Sequence, residues 1–260
     1  TGLMAAAMFR LLPMTLRIVA NMQHLNSGKP TLEIIAQEIE QTEGRVRDAL
    51  HVTERMRGWQ ELRLDNVGFT YPNGTTALRG VTATIRRGDF VGITGPSGSG
   101  KTTLMLILLG LISPTEGTIT VDGESLADPA TARRWQNGIG YVPQTLFLVD
   151  GTLADNVAFG DAQPDRARVA AVLDAAQLHD YVKEQPAGID SPIGDYGERL
   201  SGGQKQRVVI ARALYRDPDL IAFDEATSTL DVAIEKALTD HLSQFRGSKS
   251  LIAIAHRLST

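Results

Sequence analysis

The sequence predicts an α/β fold built on a largely parallel sheet, and three observations carry that reading. The runs Leu220-Ile221-Ala222-Phe223 and Leu251-Ile252-Ala253-Ile254-Ala255 are wholly apolar, the pattern of central strands buried on both faces. From about residue 59 onward, strand-like and helix-like segments alternate. A glycine-rich loop at 95–100 lies between an apolar strand and an apolar helix.

Composition narrows the possibilities. The chain has 260 residues, 42% hydrophobic and 22% charged, enough for one large domain or a domain plus an appendage, with a substantial core. It has no cysteine, which removes disulfides, thiolate zinc ligands and a thiolate nucleophile. A net charge of −4 and 5% aromatics argue against a basic, base-stacking nucleic-acid surface. The mean hydropathy of −0.09 is far from that of a multi-span membrane chain.

The elements follow in order. Residues 3–22 are apolar but broken by Arg10, Pro13 and Arg17, so no run reaches the roughly 20 residues that span a bilayer. The pattern is not that of a signal peptide either. Asn26-Ser27-Gly28-Lys29-Pro30 is a turn. Thr31 suits the N-cap of a helix with Leu32, Ile35 and Ile39 on one face, and charged residues at 38–57 read as a solvated connector. Strands are expected at 67–71, 81–85 and 90–94, then a helix through 104–109, then strands at 118–121 and 139–142. A mostly helical stretch from about 165 to 215 precedes the closing strands at 220–223 and 250–255. The start at Thr1 reads as a cut through a helix, and Ser259-Thr260 follows closely on a strand; both ends are expected to be truncated.

Three segments carry chemistry. Gly95-Pro96-Ser97-Gly98-Ser99-Gly100-Lys101-Thr102 fits G-x-x-x-x-G-K-[ST], with Thr103 beside it. Its glycines let several backbone N–H groups point into one hollow, and the following helix adds its positive end. Lys101 can reach β- and γ-phosphates, and the Thr102 hydroxyl can ligate Mg²⁺. Leu220-Ile221-Ala222-Phe223-Asp224-Glu225 is an apolar strand ending in two acids. That ending suits a Mg²⁺ shell at Asp224 and a water-activating base at Glu225, although acids also favour a helix start. Leu200-Ser201-Gly202-Gly203-Gln204 is a second anion nest at a helix start; by composition it arises on the order of once per million positions. A second nest in one chain makes most sense if it serves a nucleotide held by another copy.

With these motifs in this order, residues 60–260 resemble the nucleotide-binding domain of ABC transporters. The resemblance implies a P-loop NTPase, RecA-like core with an antiparallel β portion at about 61–90 and an α-helical signature subdomain at about 145–215. It implies ATP and Mg²⁺ as ligands. In its terms Gly95, Pro96, Ser97, Gly98, Ser99, Gly100, Lys101, Thr102 and Thr103 form the Walker A loop. The Walker B strand ends in Asp224, and Ser201, Gly202, Gly203 and Gln204 belong to the signature. Gln144, in Tyr141-Val142-Pro143-Gln144, matches the Q-loop glutamine, a Mg²⁺ ligand. Tyr71 matches the adenine-stacking A-loop aromatic. Asp231, in Ser228-Thr229-Leu230-Asp231, matches the D-loop, with Thr229 where alanine is usual, and His256 matches the switch histidine.

Gly194-Asp195-Tyr196-Gly197-Glu198-Arg199 resembles the exporter X-loop, with Asp195 where glutamate is usual. Residues 1–27 look like the cytoplasmic end of a last transmembrane helix, and 28–59 like the linker; the Phe9-Arg10-Leu11-Leu12-Pro13 stretch resembles bacterial lipid-linked oligosaccharide flippases. The resemblance thus implies an exporter ATPase at the inner membrane of a bacterium, on its cytoplasmic side. It would pair head-to-tail with a second copy, attach to a transmembrane domain and bind no nucleic acid. Two rivals stand beside it. A soluble ABC ATPase of repair or translation would normally show a coiled-coil insertion or a tandem duplication. A regulatory, non-hydrolysing module is disfavoured by Glu225, His256 and Gly203.

Overall fold

The computed structural model describes residues 53–224 and 249–254, with isolated helical positions at 14, 16–17, 21–23, 29, 32 and 35–36. The chain divides into two units, Thr1–His51 and Val52–Thr260. In the first, the apolar side chains of Met14, Leu16, Met22, Leu32 and Ile35 are exposed. Among the described residues no helix is long and apolar enough to cross a membrane. Ile39, Glu225, Thr229, Asp231 and His256 lie outside the described residues.

The described residues of the second unit form two four-stranded sheets. The first contains β1 (Glu61–Thr70), β2 (Thr76–Arg86), β4 (Glu116–Val121) and β5 (Glu124–Ser125), ordered β2-β1-β4-β5 and antiparallel throughout. The second contains β3 (Phe90–Ile93), β6 (Ile139–Val142), β7 (Leu220–Asp224) and β8 (Ser250–Ile254), ordered β3-β8-β7-β6 and parallel. The antiparallel part therefore extends beyond 61–90. β4 pairs with β1 in the register Leu62↔Val121 and Leu64↔Ile119, which brings four buried side chains together across the ladder. Strand β1 itself starts six residues before its expected position. Its alternation is broken after Leu64, where Asn66 takes a positive φ of 50° and the register shifts.

Among the described residues of the second unit the helices are α1 (Lys101–Leu108), α2 (Pro129–Gln136), α3 (Leu153–Val157), α4 (Arg166–Ala175), α5 (His179–Glu184) and α6 (Gly202–Tyr215). Short 3-10 turns at Gly188–Asp190 and Asp195–Gly197 interrupt the expected helical stretch. Helix α2 had a local signal: Asp128 accepts from Thr131 N at the N-cap, and Pro129 opens the first turn. Its Trp135 is buried edge-on to Trp59 at 5.2 Å, and the indole N–H donates to Leu108 O.

β7 separates two cores. Leu220 and Ala222 join Leu62, Leu64, Met105, Leu109 and the Trp59–Trp135 pair. Ile221 and Phe223 join Val142 and the inner faces of α3, α4 and α6. Each fully buried large aliphatic side chain contributes roughly 1.5–3 kcal/mol, so a strand fed into both cores is wholly apolar by necessity. Helix α6 lies so close on β6 that a Cβ at Gly140 would stand 2.6 Å from Ala213 O. We expect Gly140→Ala to push α6 off the sheet and destabilise the fold by about 1–3 kcal/mol, read as a melting midpoint several degrees lower. An unchanged midpoint would refute this packing.

Candidate functional site

The loop after β3 wraps the start of α1. Gly100 has φ +88° and occupies the N-cap position; a Cβ there would stand 2.5 Å from Ala77 O on β2, so only glycine fits. Lys101, at 8% exposure, folds its ammonium back into the loop and donates to Gly95 O at 3.0 Å and Pro96 O at 2.9 Å. The ring of backbone is thereby closed around one positive charge. Beside it opens a cleft of about 460 Å³, lined by Tyr71, Ser97, Gly98, Gly100, Lys101, Thr102, Thr103 and Gln144, with β2 residues at its rim. Residues separated by more than seventy positions are thus brought to one hollow with a buried ammonium, the arrangement a polyphosphate requires.

Tyr71 forms one wall. Its ring packs edge-on to Phe69 at 4.9 Å, and its hydroxyl shares a 2.8 Å hydrogen bond with Thr103 Oγ1. That bond was not readable from sequence, because it joins the turn after β1 to the second threonine of α1.

Asp224 ends β7, is 3% exposed, and accepts from the Tyr141 hydroxyl at 3.4 Å. Burial, reinforced by the Asp224 charge, pushes the Tyr141 phenol up to about 12, so it stays protonated at neutral pH and can donate. In the sequence Tyr141 stands only as part of the motif around Gln144. The parallel register that pairs it with Ala222, two residues before Asp224, gives it this role. Thr102 and Gln144 line the cleft, and Asp224 lies outside its lining. Together the three offer hydroxyl, amide and carboxylate oxygens, hard donors that fit Mg²⁺. Among the described residues no cluster of three or more His, Asp or Glu forms a rival metal site.

The signature segment sits elsewhere. Ser201 caps α6: its Oγ accepts from Gln204 N at 3.3 Å, while Gln204 Oε1 accepts from Ser201 N at 2.8 Å. The two polar side chains read as anion ligands are therefore also a capping box, and the serine hydroxyl keeps its own hydrogen to donate outward. A Cβ on Gly202 or Gly203 would meet nothing within 4 Å. Packing within the chain does not require these glycines, and their backbone is open to approach from outside. None of residues 201–204 lines the cleft at the glycine-rich loop.

Behind this helix start lies an apolar patch. Phe147, Phe159 and Tyr196 are 55%, 49% and 72% exposed, and Tyr196 sits at φ +50° in the 195–197 turn, with its ring 6.4 Å from that of Phe147. Arg212 of α6 braces the patch from beneath. It donates to Phe147 O and Asn156 O at 2.7 Å each and lies 5.2 Å from the Phe159 ring.

Comparison with known proteins gives a consistent result. A family model described as ABC transporter matches residues 78–228. The chain is 40% identical over 240 residues to the ATP-dependent lipid A-core flippase of Cupriavidus pinatubonensis, covering 91% of this chain and 39% of that protein. It is 44% identical over 211 residues to the protein of the same name from Ralstonia nicotianae, covering 80% of this chain and 35% of that one. The structure of a bacterial Atm1-family ABC exporter with ATP bound superposes with a TM-score of 0.74 at 35% identity, over 80% of this chain and 36% of the exporter. The chain thus spans well under half of each, and the nucleic-acid alternative draws no support from these relatives. From the capping geometry we expect Ser201→Ala to cost about 1 kcal/mol, visible as a small drop in the urea midpoint. A neutral result would mean that the cap is not holding α6.

Proposed function

The chain belongs to the ABC transporter family, and from that premise we propose that it is the ATP-binding and ATP-hydrolysing part of an exporter-type transporter that acts in pairs. The observation that carries the reading is the separation of two phosphate-ready surfaces. The Lys101 cleft approaches a triphosphate from one side, and the open Ser201-Gly202-Gly203 face is not part of its lining. A head-to-tail pair lets each nucleotide lie between one chain's loop and the other chain's signature.

In this reading Tyr71 stacks on the base, as an aromatic ring can do for any purine. Lys101 turns from Gly95 O and Pro96 O toward the β- and γ-phosphates. Thr102, Gln144 and Asp224 hold Mg²⁺, with Tyr141 steadying Asp224. Bound there, the ion would offset the charge that builds on the phosphate oxygens. Glu225 orients and deprotonates the attacking water, and His256 contacts the γ-phosphate. Ser201, Gly202, Gly203 and Gln204 of the second copy close the other side, and Asp231 communicates across the pair. The serine hydroxyl and the glycine N–H groups are preorganised by the α6 cap, so catalysis is largely positioning.

ATP binding closes the pair and hydrolysis releases it, a cycle that would drive a transmembrane domain between two orientations. The exposed Phe147, Phe159 and Tyr196 suit the contact with that domain, since an exposed apolar patch joined to the signature helix through Arg212 suits a partner surface. Residues 1–27 would be the cytoplasmic end of its last helix, placing the ATPase on the cytoplasmic side of a bacterial inner membrane. The flippase relatives support a lipid-linked cargo for the whole transporter.

Two substitutions test the reading. Glu225→Gln should keep ATP affinity, nearly abolish phosphate release, and trap a species of twice the chain mass in ATP; a trapped species of single mass would overturn the pairing. Lys101→Ala should remove tight ATP binding in a fluorescent-nucleotide titration, and an unchanged affinity would overturn the phosphate-loop role.

A further inference from the structure

We infer that the chain carries a second phosphate-binding site, in a cleft of about 490 Å³ formed by the segment leading into β1, the start of α4 and the end of α6. It shares no lining residue with the Lys101 cleft. Four guanidinium groups face it: Arg55 and Arg57 from the leading segment, Arg168 from α4 and Arg216 from the C-cap of α6.

Two of these groups are held in place by uncharged partners. Arg55 donates to the carbonyl oxygen of Arg216. Arg168 lies 5.5 Å over the ring of Tyr215, whose hydroxyl is fixed by donating to Asp161 and accepting from Asp165 N. Among the described residues, none of the four arginines has a carboxylate within 4.0 Å, although Arg87 pairs with Asp219 and Lys249 with Asp217 nearby.

Three carboxylates share the cleft, and each is directed to another donor. Asp161 accepts from Gln163 N and Tyr215, Asp165 from Arg168 N, and Asp217 from Lys249. The lining keeps an excess of positive charge, four arginines against three aspartates; burial, and then repulsion from Arg57, Arg216 and Arg168, lowers the pKa of Arg55, with Asp217 opposing the shift.

A phosphate group resolves this excess. Its oxygens accept planar, bidentate pairs from guanidinium groups, which a halide or a lone carboxylate cannot match across several arginines. The cleft volume suits a small phosphorylated molecule or a lipid headgroup. Once bound, it would brace the segment leading into β1 against the far end of the signature helix.

The test is a calorimetric titration of pyrophosphate into the whole chain already saturated with a non-hydrolysable ATP analogue, so that the Lys101 cleft is filled. We expect one further site per chain, weakened about tenfold or more by Arg55→Gln and by Arg168→Gln and unchanged by Arg63→Gln, which removes an equal charge from an exposed strand. Thermal melts of the variants check that each is folded. Pelleting with phosphatidic acid vesicles separates the sources. Arg168-dependent co-sedimentation that pyrophosphate reverses assigns a lipid headgroup; pyrophosphate binding without it assigns a soluble phosphate compound. Absence of the additional site, or equal weakening by Arg63→Gln, overturns the inference.

Discussion

Strand β7 is buried along its whole length, with alternate residues committed to different cores. That double burial constrains everything at the cleft. It fixes β8 and β6 on either side through parallel ladders, and β8 in turn fixes β3, from which the phosphate loop departs. It also delivers Asp224 to the strand end with almost no exposure. A carboxylate placed there by packing is costly unless it has a use or a partner, and Tyr141 on the neighbouring strand supplies one hydrogen bond toward it.

Helix α6 converts the same constraint into reach. It rests on β6 at Gly140 through Ala213, so its last turn is set by the sheet. At the start, Ser201 and Gln204 close the helix on itself and leave two glycines open to approach. Along its side, Arg212 ties the helix to Asn156, which is fully buried, and to the backbone under the exposed Phe147. A tilt of this helix would therefore move the glycine face and the aromatic patch together.

What could be read in the sequence was local. The loop at 95–102 is one continuous stretch whose glycines, lysine and threonine state their chemistry without reference to the rest of the chain. The apolar runs at β7 and β8 likewise announce burial on both faces. Pairing across long separations was less legible. Nothing in residues 116–121 says that they join β1 rather than the parallel sheet; that follows only from the match of Ile119 and Val121 to Leu64 and Leu62. The Tyr71–Thr103 bond and the Tyr141–Asp224 contact are tertiary for the same reason. Helix α2 was not legible despite its Asp128-Pro129 start, because it is only eight residues long and carries one large buried apolar side chain, Trp135.

The ammonium of Lys101 has two backbone oxygen partners within its own loop. An incoming anion must exchange with those carbonyls, so its reward is a difference between two solvated states of one cation. Weakly charged anions gain little from that exchange, whereas a dense cluster of phosphate oxygens gains much. A loop built this way would favour anions of high charge density, and its lysine is satisfied within the loop itself.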